Sequence, residues 1–349
     1  MSTIFAFIKK HGLRAAISTV LVVISTYYAT KGVDFTALMQ ALSSVNYGWV
    51  ITSIPVILLS HWVRALRWKT MLEPVLKAQS LTNLFSAVMI GYAANNVLPK
   101  GGEILRPMVF SRREGVSFSS VMATIFIERL IFDMVPVVLF ISAAFLFFRT
   151  EISVAYPELD LGFLGSLVIL VIGAGTIMVL LSAFPHWSEK ALRVTVRRFS
   201  EKFYLKIHGI MLRFSKGFAI LTTLSQYLRV SAESLVIWFM YIMPMWMLFY
   251  AFPFESRVSL GFSDAMLVFV IGLIAQFAPV PGGIGVFHSL VTTAMVRLYG
   301  IRHEEALAYA TVSHGVNYLI TFIVGAGYFL RENKVALNIK DIAANPDEE

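Results

Sequence analysis

Long apolar stretches alternate with short polar segments along almost the entire chain. A helix needs about 20 predominantly apolar residues to cross a bilayer, and six stretches approach or exceed that length. They predict the spanning helices Ala15–Thr30, Gly48–Trp68, Ser119–Phe148, Gly162–Phe184, Val230–Phe252 and Glu305–Leu330. We expect the shorter mixed segment Val33–Tyr47 to lie in the membrane interface. Arg64, Arg67 and Lys69, at the end of the second stretch, are expected to extend to the lipid headgroups.

Two further apolar helices are each interrupted by proline followed by paired glycines. The first segment, Ser80–Arg113, breaks at Leu98-Pro99-Lys100-Gly101-Gly102, and the second, Phe262–Tyr299, breaks at Pro279-Val280-Pro281-Gly282-Gly283. Proline removes a helix donor and clashes with the preceding turn, and glycine permits backbone angles that other residues avoid. Ordinary helix–loop–helix corners are the alternative. The pattern favours an all-α polytopic membrane protein with about six full spans plus two re-entrant broken-helix hairpins.

Charge is scarce and unevenly distributed. Charged residues make up 14% of the chain, against about 25% in soluble proteins, so no large soluble domain is expected. If both termini are cytoplasmic and neither hairpin crosses the membrane, most of the 29 basic residues lie on the cytoplasmic side. The positive-inside rule favours this orientation. The hairpins then enter from opposite sides.

This arrangement predicts two inverted units. The segments are an N-terminal span and interfacial segment (1–47), the first unit (48–150, hairpin 80–113), a linking span with a basic segment (151–229), the second unit (230–331, hairpin 262–299) and a polar tail (332–349). Inverted repeats with broken helices are a transporter architecture. We expect both breaks to face a shared cavity, because irregular backbone at membrane depth survives only inside protein or along water.

The basic segment 186–216 has an apolar face. That face carries Leu192, Val196, Phe199, Phe203 and Ile207 at helical spacing. We interpret the segment as a surface helix on the anionic inner leaflet, where each nearby basic residue contributes about 1 kcal/mol. A cytoplasmic loop with no further role is the alternative. The apolar face suits lipid better than nucleic acid, so no nucleic-acid partner is expected.

Three charges lie in the middle of the third predicted span. Glu128, Arg129 and Asp133 would each cost about 2.5–3.5 kcal/mol if they faced lipid. They are therefore expected to face the cavity or to pair, and Arg129 and Asp133 have the i,i+4 spacing of a direct pair. One interpretation is a structural ion pair. The other is a headgroup site in which Arg129 meets a phosphate and Glu128 meets a cation or proton.

The first break carries polar groups of its own. Glu103 either caps its own half-helix or contributes to a site, and Arg106 either binds phosphate or extends to the headgroups. Amides at the half-helix starts are candidates to hold an anion, namely those of Gly101, Gly102, Gly282 and Gly283, with Pro281 opening the second of them. Asn95, Asn96 and Gln276 are expected to satisfy the broken backbone rather than bind a ligand.

The second unit offers His288, His314 and Asn317. Thirteen residues separate Gly115 from Glu128, and the same count from Gly300 reaches Ser313, so Arg129 corresponds to His314. Histidine changes charge near neutral pH, which makes His314 a candidate titrating site. A packed, hydrogen-bonding histidine is the alternative.

Signatures of catalysis are missing from the sequence. It has no Gly-x-Ser-x-Gly, His-Glu-x-x-His or P-loop motif and no cysteine. We therefore expect no catalytic residue, no metal and no cofactor.

The motifs, taken in order, resemble the lysylphosphatidylglycerol synthase transmembrane (flippase-like) family. The matching residues are Asn95, Leu98, Pro99, Gly101, Gly102, Glu103 and Arg106, then Glu128, Arg129 and Asp133, then Pro279, Pro281, Gly282, Gly283, Ile284 and Gly285. The resemblance covers residues 10–331 and implies a stand-alone lipid-translocating fold without the aminoacyl-transferase domain. It implies site roles for Glu103, Arg106, Arg129 and Asp133. His288 and His314 stand where the family usually has Glu and Arg, so the second half of the site is less charged.

Together these features predict a flippase in the inner membrane. Its substrate would be a phospholipid or a polyprenyl phosphate, and Glu128, His288 and His314 are candidates for proton coupling. The alternative is a non-transporting scaffold or a lipid-presenting subunit of a cell-envelope enzyme complex, and an intramembrane lipid enzyme is a third hypothesis. Whether the protein forms an oligomer stays open.

Overall fold

The protein is described here from a computed structural model. It covers residues 19–73, 76, 80–160, 185–198, 200–218, 223–254 and 256–335, with single positions 162, 165, 166, 169, 170 and 173. The predicted fourth span and the tail beyond residue 335 lie outside the described residues, apart from those single positions. The described part of the chain is helical and contains no β-strand.

The helices follow the apolar stretches closely. They are α1 (Thr19–Thr30), α2 (Phe35–Ser43), α3 (Tyr47–Leu72), α4 (Leu81–Val97), α5 (Gly102–Glu114), α6 (Phe118–Ile127), α7 (Met134–Phe147), α8 (Arg149–Ala155), α9 (Pro185–Thr195), α10 (Glu201–Phe218), α11 (Leu224–Phe249), α12 (Phe262–Ile274), α13 (Val286–Tyr299) and α14 (His303–Val335). A π-helical turn, Glu128–Asp133, joins α6 to α7. Short 3₁₀ turns, Ala275–Phe277 and Pro281–Gly283, lie between α12 and α13.

Three helices in the described ranges are long and apolar enough to cross a membrane, and these are α3, α11 and α14. A fourth span is possible if α7 and α8, which are bent by 87° at their junction, are counted together. The described part of the chain is thus all-helical and contains helices of membrane-spanning length. Six full spans and re-entry of the hairpins stay predictions.

Both broken helices are interrupted at the predicted positions. The first helix ends at Val97, ahead of Pro99, and α5 begins at Gly102. In the second break Gly282, Gly283 and Gly285 have φ values of 56°, 75° and 81°, which lie in the left-handed region that favours glycine. The backbone reversal there therefore depends on these glycines.

The first hairpin closes through an unusually near approach of its two limbs. A Cβ atom built on Gly102 would lie 1.9 Å from the carbonyl oxygen of Gly91. No side chain fits in that space, so α5 begins against α4 only because residue 102 is glycine. The limbs α5 and α13 each end at a glycine in the left-handed conformation, Gly115 and Gly300.

The two predicted units interlock rather than stand side by side. The long helix α3 of the first unit packs along α11, and α14 of the second unit packs along α4 and α13. Gly325 on α14 allows this closeness, because an added Cβ would lie 2.2 Å from the Met89 carbonyl oxygen. Trp68, Leu84 and Phe110 are fully buried in the core that forms around the first hairpin.

The segment after the third predicted span is partly helical. Residues 151–161 separate two predicted spans, yet Arg149–Ala155 forms a helix because Ile152 and its neighbours pack on buried residues of α12 and α13. Tyr156 Oη donates to the Leu290 carbonyl at 2.6 Å. Arg297 Nη2 pairs with Glu158 at 3.0 Å. These contacts fasten the segment to α13.

The basic segment is two helices, not the single surface helix that we predicted. Ser200 Oγ accepts from the Phe203 amide at 3.2 Å, which begins α10 as a new helix. The chain folds back so that Leu192 and Tyr204 are buried together, while Phe203 is 56% exposed. The expected single apolar face is therefore divided between a helix–helix contact and the surface. Phe199 lies outside the described residues.

Candidate functional site

Six charged side chains meet between α3, α5 and the π-helical turn. This arginine–carboxylate cluster consists of Arg64, Arg67, Arg106, Glu128, Arg129 and Asp133. The expectation that Arg64 and Arg67 reach the headgroups is wrong, because both are buried, with exposures of 2% and 0%. Packing of α3 along α11 turns their helix face inward, toward carboxylates about 60 positions further along the chain.

The π-helical turn places both carboxylates of the cluster. The Met134 amide donates to the Arg129 carbonyl, five residues back, so residues five apart lie nearly above one another. Glu128 and Asp133 are five apart and both contact Arg67. In an uninterrupted α-helix they would point in different directions. The local departure from α geometry is thus what brings two negative charges to one side.

Glu128 is the centre of the cluster. Its Oε1 lies 3.1 Å from Arg64 Nη2 and 2.9 Å from Arg67 Nη2, and its Oε2 lies 2.9 Å from Arg106 Nη2. The side chain has no exposed surface. Three guanidinium groups from two helices therefore converge on one buried carboxylate.

Asp133 holds the other side. It pairs with Arg64, with Arg67 at 2.7 Å and with Arg129 at 3.0 Å. The predicted direct pair between Arg129 and Asp133 is thus present. Arg129 is the one arginine of the cluster with a partly exposed side chain, at 34%. It forms the exposed edge of the cluster.

Neutral groups complete the surroundings of the arginines. Arg64 Nη1 donates to Tyr241 Oη at 3.0 Å, and Tyr241 Oη lies 3.1 Å from Tyr92 Oη. Arg67 Nη1 donates to Ser234 Oγ at 3.0 Å. The guanidinium groups of Arg64 and Arg67 are therefore held by side chains of α11 as well as by the carboxylates.

Arg106 has a further contact of a different kind. Its guanidinium carbon lies 3.9 Å from the centre of the Trp68 ring, within the range of a cation–π interaction. Trp68 Nε1 in turn donates to Thr124 Oγ1 at 3.1 Å. Arg106 is therefore buried in the cluster rather than extended to the headgroups, which was one of its two interpretations.

The first break satisfies its own backbone. Asn95 Oδ1 accepts from the Gly102 amide at 2.8 Å, which is the backbone role expected for Asn95. The Gly101 amide donates to Leu98 O at 2.9 Å, and the Gly283 amide donates to Val280 O at 3.3 Å. These three glycine amides are thus hydrogen-bonded, contrary to the expectation that they are free to hold an anion.

The two breaks touch each other. Asn96 Nδ2 donates to the Tyr318 carbonyl at 3.0 Å and to Thr321 Oγ1 at 3.1 Å. Tyr318 Oη donates to the Asn96 carbonyl at 2.7 Å. A Cβ on Gly282 would lie 2.9 Å from the Tyr318 ring and 3.7 Å from Asn96 Oδ1. The end of α4, the second break and α14 therefore meet at one point.

A histidine pair, His288 and His314, lies at the second break. The ring centres are 5.0 Å apart. His314 Nε2 lies 2.8 Å from the Gly282 carbonyl oxygen, so that nitrogen carries the proton, because a carbonyl only accepts. The Gly285 amide lies 3.4 Å from His288 Nδ1. Both rings thus hold the broken backbone, as the packed interpretation expected for His314.

The other predicted residues stand apart from these groups. Glu103 lies half-buried in the first turn of α5, and within the described ranges it forms no ion pair with the cluster. Pro281 opens the 3₁₀ turn of the second break. Asn317 is exposed on α14, close in sequence to Tyr318. Among the described residues, the contacts of the predicted site therefore form two groups, the charged arginine–carboxylate cluster and the neutral contacts at the two breaks.

The sequence contained a signal for the residues that we assigned elsewhere. The adjacent pairs Ser60–His61 and Arg67–Trp68 lie three to four positions on either side of Arg64, and all five residues lie on one buried face of α3. Such spacing marks a helix face turned to the protein interior. Two mid-span carboxylates with one neighbouring arginine also call for further cationic partners.

The cluster and both breaks lie within regions shared with known proteins. A UPF0104 membrane protein of Pyrococcus horikoshii is 23% identical over 343 residues, which cover 94% of this chain and 99% of that protein. Glycosyltransferase AglD of Haloferax volcanii is 21% identical over 334 residues, which cover 90% of this chain and 53% of AglD, so the chain spans about half of that relative. The profile of the lysylphosphatidylglycerol synthase TM region matches residues 13–325. The chain is therefore an integral membrane protein that belongs to the lysylphosphatidylglycerol synthase TM-region family.

Proposed function

We propose that this protein moves a phosphate-bearing lipid headgroup across the membrane while the lipid tails stay in the bilayer. The observation that carries the proposal is the arginine–carboxylate cluster, in which four guanidinium groups surround two carboxylates inside a bundle of apolar helices. Guanidinium groups are planar, weakly hydrated and well matched to phosphate oxygens. Charges inside a membrane protein commonly mark a substrate path.

The geometry of the cluster gives the lipid an order of contact. Arg129, with its partly exposed side chain, meets the headgroup first. Arg64, Arg67 and Arg106 lie behind it, held by Glu128 and by α11. The headgroup exchanges water for guanidinium groups, and Asp133 gives up Arg129 as the phosphate takes its place.

The adjoining breaks support passage beyond the cluster. Irregular backbone at membrane depth is tolerated inside protein or along a water-filled path, and inverted units with broken helices are used for alternating access. Because the sequence carries no P-loop, movement is either downhill or coupled to an ion. Among the proton-coupling candidates, His288 and His314 suit the role better than Glu128, which three guanidinium groups hold in place.

A reconstituted transport assay tests the proposal. The full chain is placed in liposomes with headgroup-labelled phosphatidylglycerol, phosphatidylethanolamine or a short polyprenyl phosphate, with and without a pH gradient. We expect protein-dependent movement of at least one lipid, and a loss of about tenfold or more in Arg129→Gln, because one charge-assisted phosphate contact is worth about 1.5–3 kcal/mol. Arg302→Gln makes the same change in charge outside the cluster and is expected to transport normally. Full transport by Arg129→Gln would refute the mechanism.

A second candidate is a membrane subunit that presents lipid to an enzyme. It is favoured by the match to about half of a protein named glycosyltransferase AglD, whose remaining length lies outside the matched region. The basic helices α9 and α10 would then dock the partner. Deletion of Ala191–Ser215 separates the candidates, since a presenting subunit loses its partner whereas a transporter retains flux in liposomes.

We also propose a position for the basic helices α9 and α10. Arg193 and Arg197 pair with glutamates one turn away, at 2.7 and 2.8 Å, yet the segment keeps a large excess of basic residues. We place α9 and α10 against an anionic cytoplasmic leaflet, with both termini on that side. Binding to vesicles with and without anionic lipid measures this attraction, which salt is expected to weaken.

A further inference from the structure

We infer that the arginine–carboxylate cluster is selective for a phosphate monoester in its doubly charged form over a phosphate diester. This rests on the proposed function and adds the charge class of the headgroup. Lipid monoesters end in a terminal phosphate, whereas diester lipids carry a second substituent on phosphorus and a single phosphate charge. The inference comes from the charge count of the cluster and from its unpaired donors.

The described residues leave two positive charges in the cluster without a counter-charge. Its members are four arginines and two carboxylates, Arg64, Arg67, Arg106 and Arg129 with Glu128 and Asp133. The nearby Glu233 does not balance them, because it is paired with Arg229 at 3.1 Å. His61, buried in contact with the Tyr92 ring, would add to the positive charge if it were protonated. An occupant with two negative charges makes the cluster neutral, and an occupant with one does not.

Burial makes this balance matter. Arg64, Arg67 and Arg106 have exposures of 4% or less, and an uncompensated buried charge is strongly unfavourable. Coulomb attraction is also stronger there than at the surface, because the surroundings are less polarisable. The second negative charge of a monoester therefore contributes to binding, whereas on an exposed surface much of its effect would be screened.

Unpaired donors indicate where phosphate oxygens fit. The Nε atoms of Arg64, Arg67, Arg106 and Arg129 are buried and have no hydrogen-bond partner among the described residues. Arg106 Nη2 is 2.9 Å from Glu128 Oε2, but the two are not aligned for a hydrogen bond. Buried donors without partners are rare. A monoester phosphate offers three strong acceptor oxygens, which these donors are suited to bind.

The proposal predicts a pH dependence that comes from the ligand. A phosphate monoester takes up its second charge with a pKa near 6, whereas a diester keeps one charge throughout, and arginine does not titrate. Other titratable groups facing the cluster are Glu128, Asp133, Tyr92 and Tyr241, with Glu233 and His61 behind them. A change in the charge of these groups would act about twice as strongly on the doubly charged ligand as on the singly charged one. The titration of the ligand itself is therefore identified by a change in the monoester-to-diester ratio that is centred near pH 6.

A matched pair of ligands tests this directly. Full-length protein in detergent is titrated by calorimetry with dodecyl phosphate and with its methyl ester, which share the chain and differ in phosphate charge. We expect dodecyl phosphate to bind at least about tenfold more tightly at pH 7.5, equivalent to 1.4 kcal/mol, and less than threefold more tightly at pH 5. Inorganic phosphate is the third arm. Competition by inorganic phosphate at the same concentration as dodecyl phosphate would overturn a lipid source for the bound phosphate.

Two variants and one control complete the design. Arg129→Gln is the main variant because Arg129 is partly exposed and contacts one carboxylate, and Arg106→Gln is the second. Each is expected to reduce the tenfold preference to below threefold, and Arg302→Gln is expected to keep it. Equal binding of both esters by folded protein, or binding of neither, would overturn the inference. Transport of a diester lipid alone would leave the proposed function standing and refute this inference. Monoester binding without transport would support this inference and refute the proposed function.

Discussion

Replacing Glu128 by glutamine tests the central contact of the cluster with almost no change in side-chain volume. The carboxylate is fully buried and lies within 3.1 Å of three guanidinium groups, those of Arg64, Arg67 and Arg106. Removing one partner of a buried ion pair costs about 3–5 kcal/mol, because the remaining charge is left uncompensated. We therefore expect Glu128→Gln to lower the free energy of unfolding by about that amount, which is roughly two to four orders of magnitude in the equilibrium constant.

The assay is unfolding in mixed detergent micelles, followed by near-ultraviolet circular dichroism. Glu201→Gln is the matched control, because Glu201 pairs with Arg197 at 2.8 Å but is 54% exposed. An exposed i,i+4 pair is worth about 0.3–0.5 kcal/mol, so this variant is expected to unfold almost as the natural protein does. The reasoning is refuted if the two variants lose similar stability.

A double variant distinguishes lost charge balance from lost packing. Adding Arg106→Gln to Glu128→Gln removes the arginine that loses its carboxylate partner in the first change, whereas Arg64 and Arg67 keep Asp133. We expect the double variant to be more stable than Glu128→Gln alone, since pairs in direct contact are coupled. If the losses simply add, the carboxylate acts through its shape and not through its charge.

Three other changes probe the hairpins and their attachments. Gly102→Ala is expected to lower the free energy of unfolding by about 1–3 kcal/mol through overpacking. The control Gly315→Ala on α14, with open space around it, is expected to leave thermal stability unchanged or slightly higher. Equal effects of the two changes would contradict the tight closure of the first hairpin. Tyr318→Phe removes the 2.7 Å bond to the first break, so we expect a loss of about 0.5–1.5 kcal/mol and faster hydrogen exchange at residues 95–102, and unchanged exchange would show that the bond does not hold the breaks together. A hydrogen bond from Arg297 holds the pKa of Glu158 below its ordinary value. The stabilisation by this pair is therefore present above the unfolded-state pKa of glutamate and disappears as the pH falls through the lower folded-state pKa. Arg297→Gln is expected to abolish that part of the acid dependence of the melting temperature, and an unchanged dependence would mean that the pair is not formed.

The breaks could be placed from the sequence because proline and glycine act locally. Pro99 cannot continue α4, and glycine is needed at position 102, where the backbones of α4 and α5 come within van der Waals contact. The use of the freed amides was not predictable in the same way. Asn95 reaches forward to the Gly102 amide, and nothing in the local sequence separates that bond from the binding of an external anion.

The charged cluster was only half predictable. Glu128, Arg129 and Asp133 are conspicuous inside an apolar span, so the sequence identified the need for partners. Arg64 and Arg67 were assigned to the headgroups because arginine near the end of a span has the same local pattern whether it faces lipid or protein. Their true neighbours are set by the packing of α3 on α11, which is long-range information. The π-helical turn likewise depends on the tertiary arrangement around it.

That turn has a genetic consequence. A π-helical turn holds one residue more than the α-helical turn that it replaces, and each residue rotates an α-helix by about 100°. Loss of a single codon between Glu128 and Asp133 would restore a regular helix in which the two carboxylates are four positions apart. Residues four apart lie on the same face of an α-helix, so one in-frame deletion, with no amino acid substituted, would remove the π-helical turn and keep the carboxylates together. Relatives that lack the extra residue are therefore expected to carry the glutamate and the aspartate four positions apart.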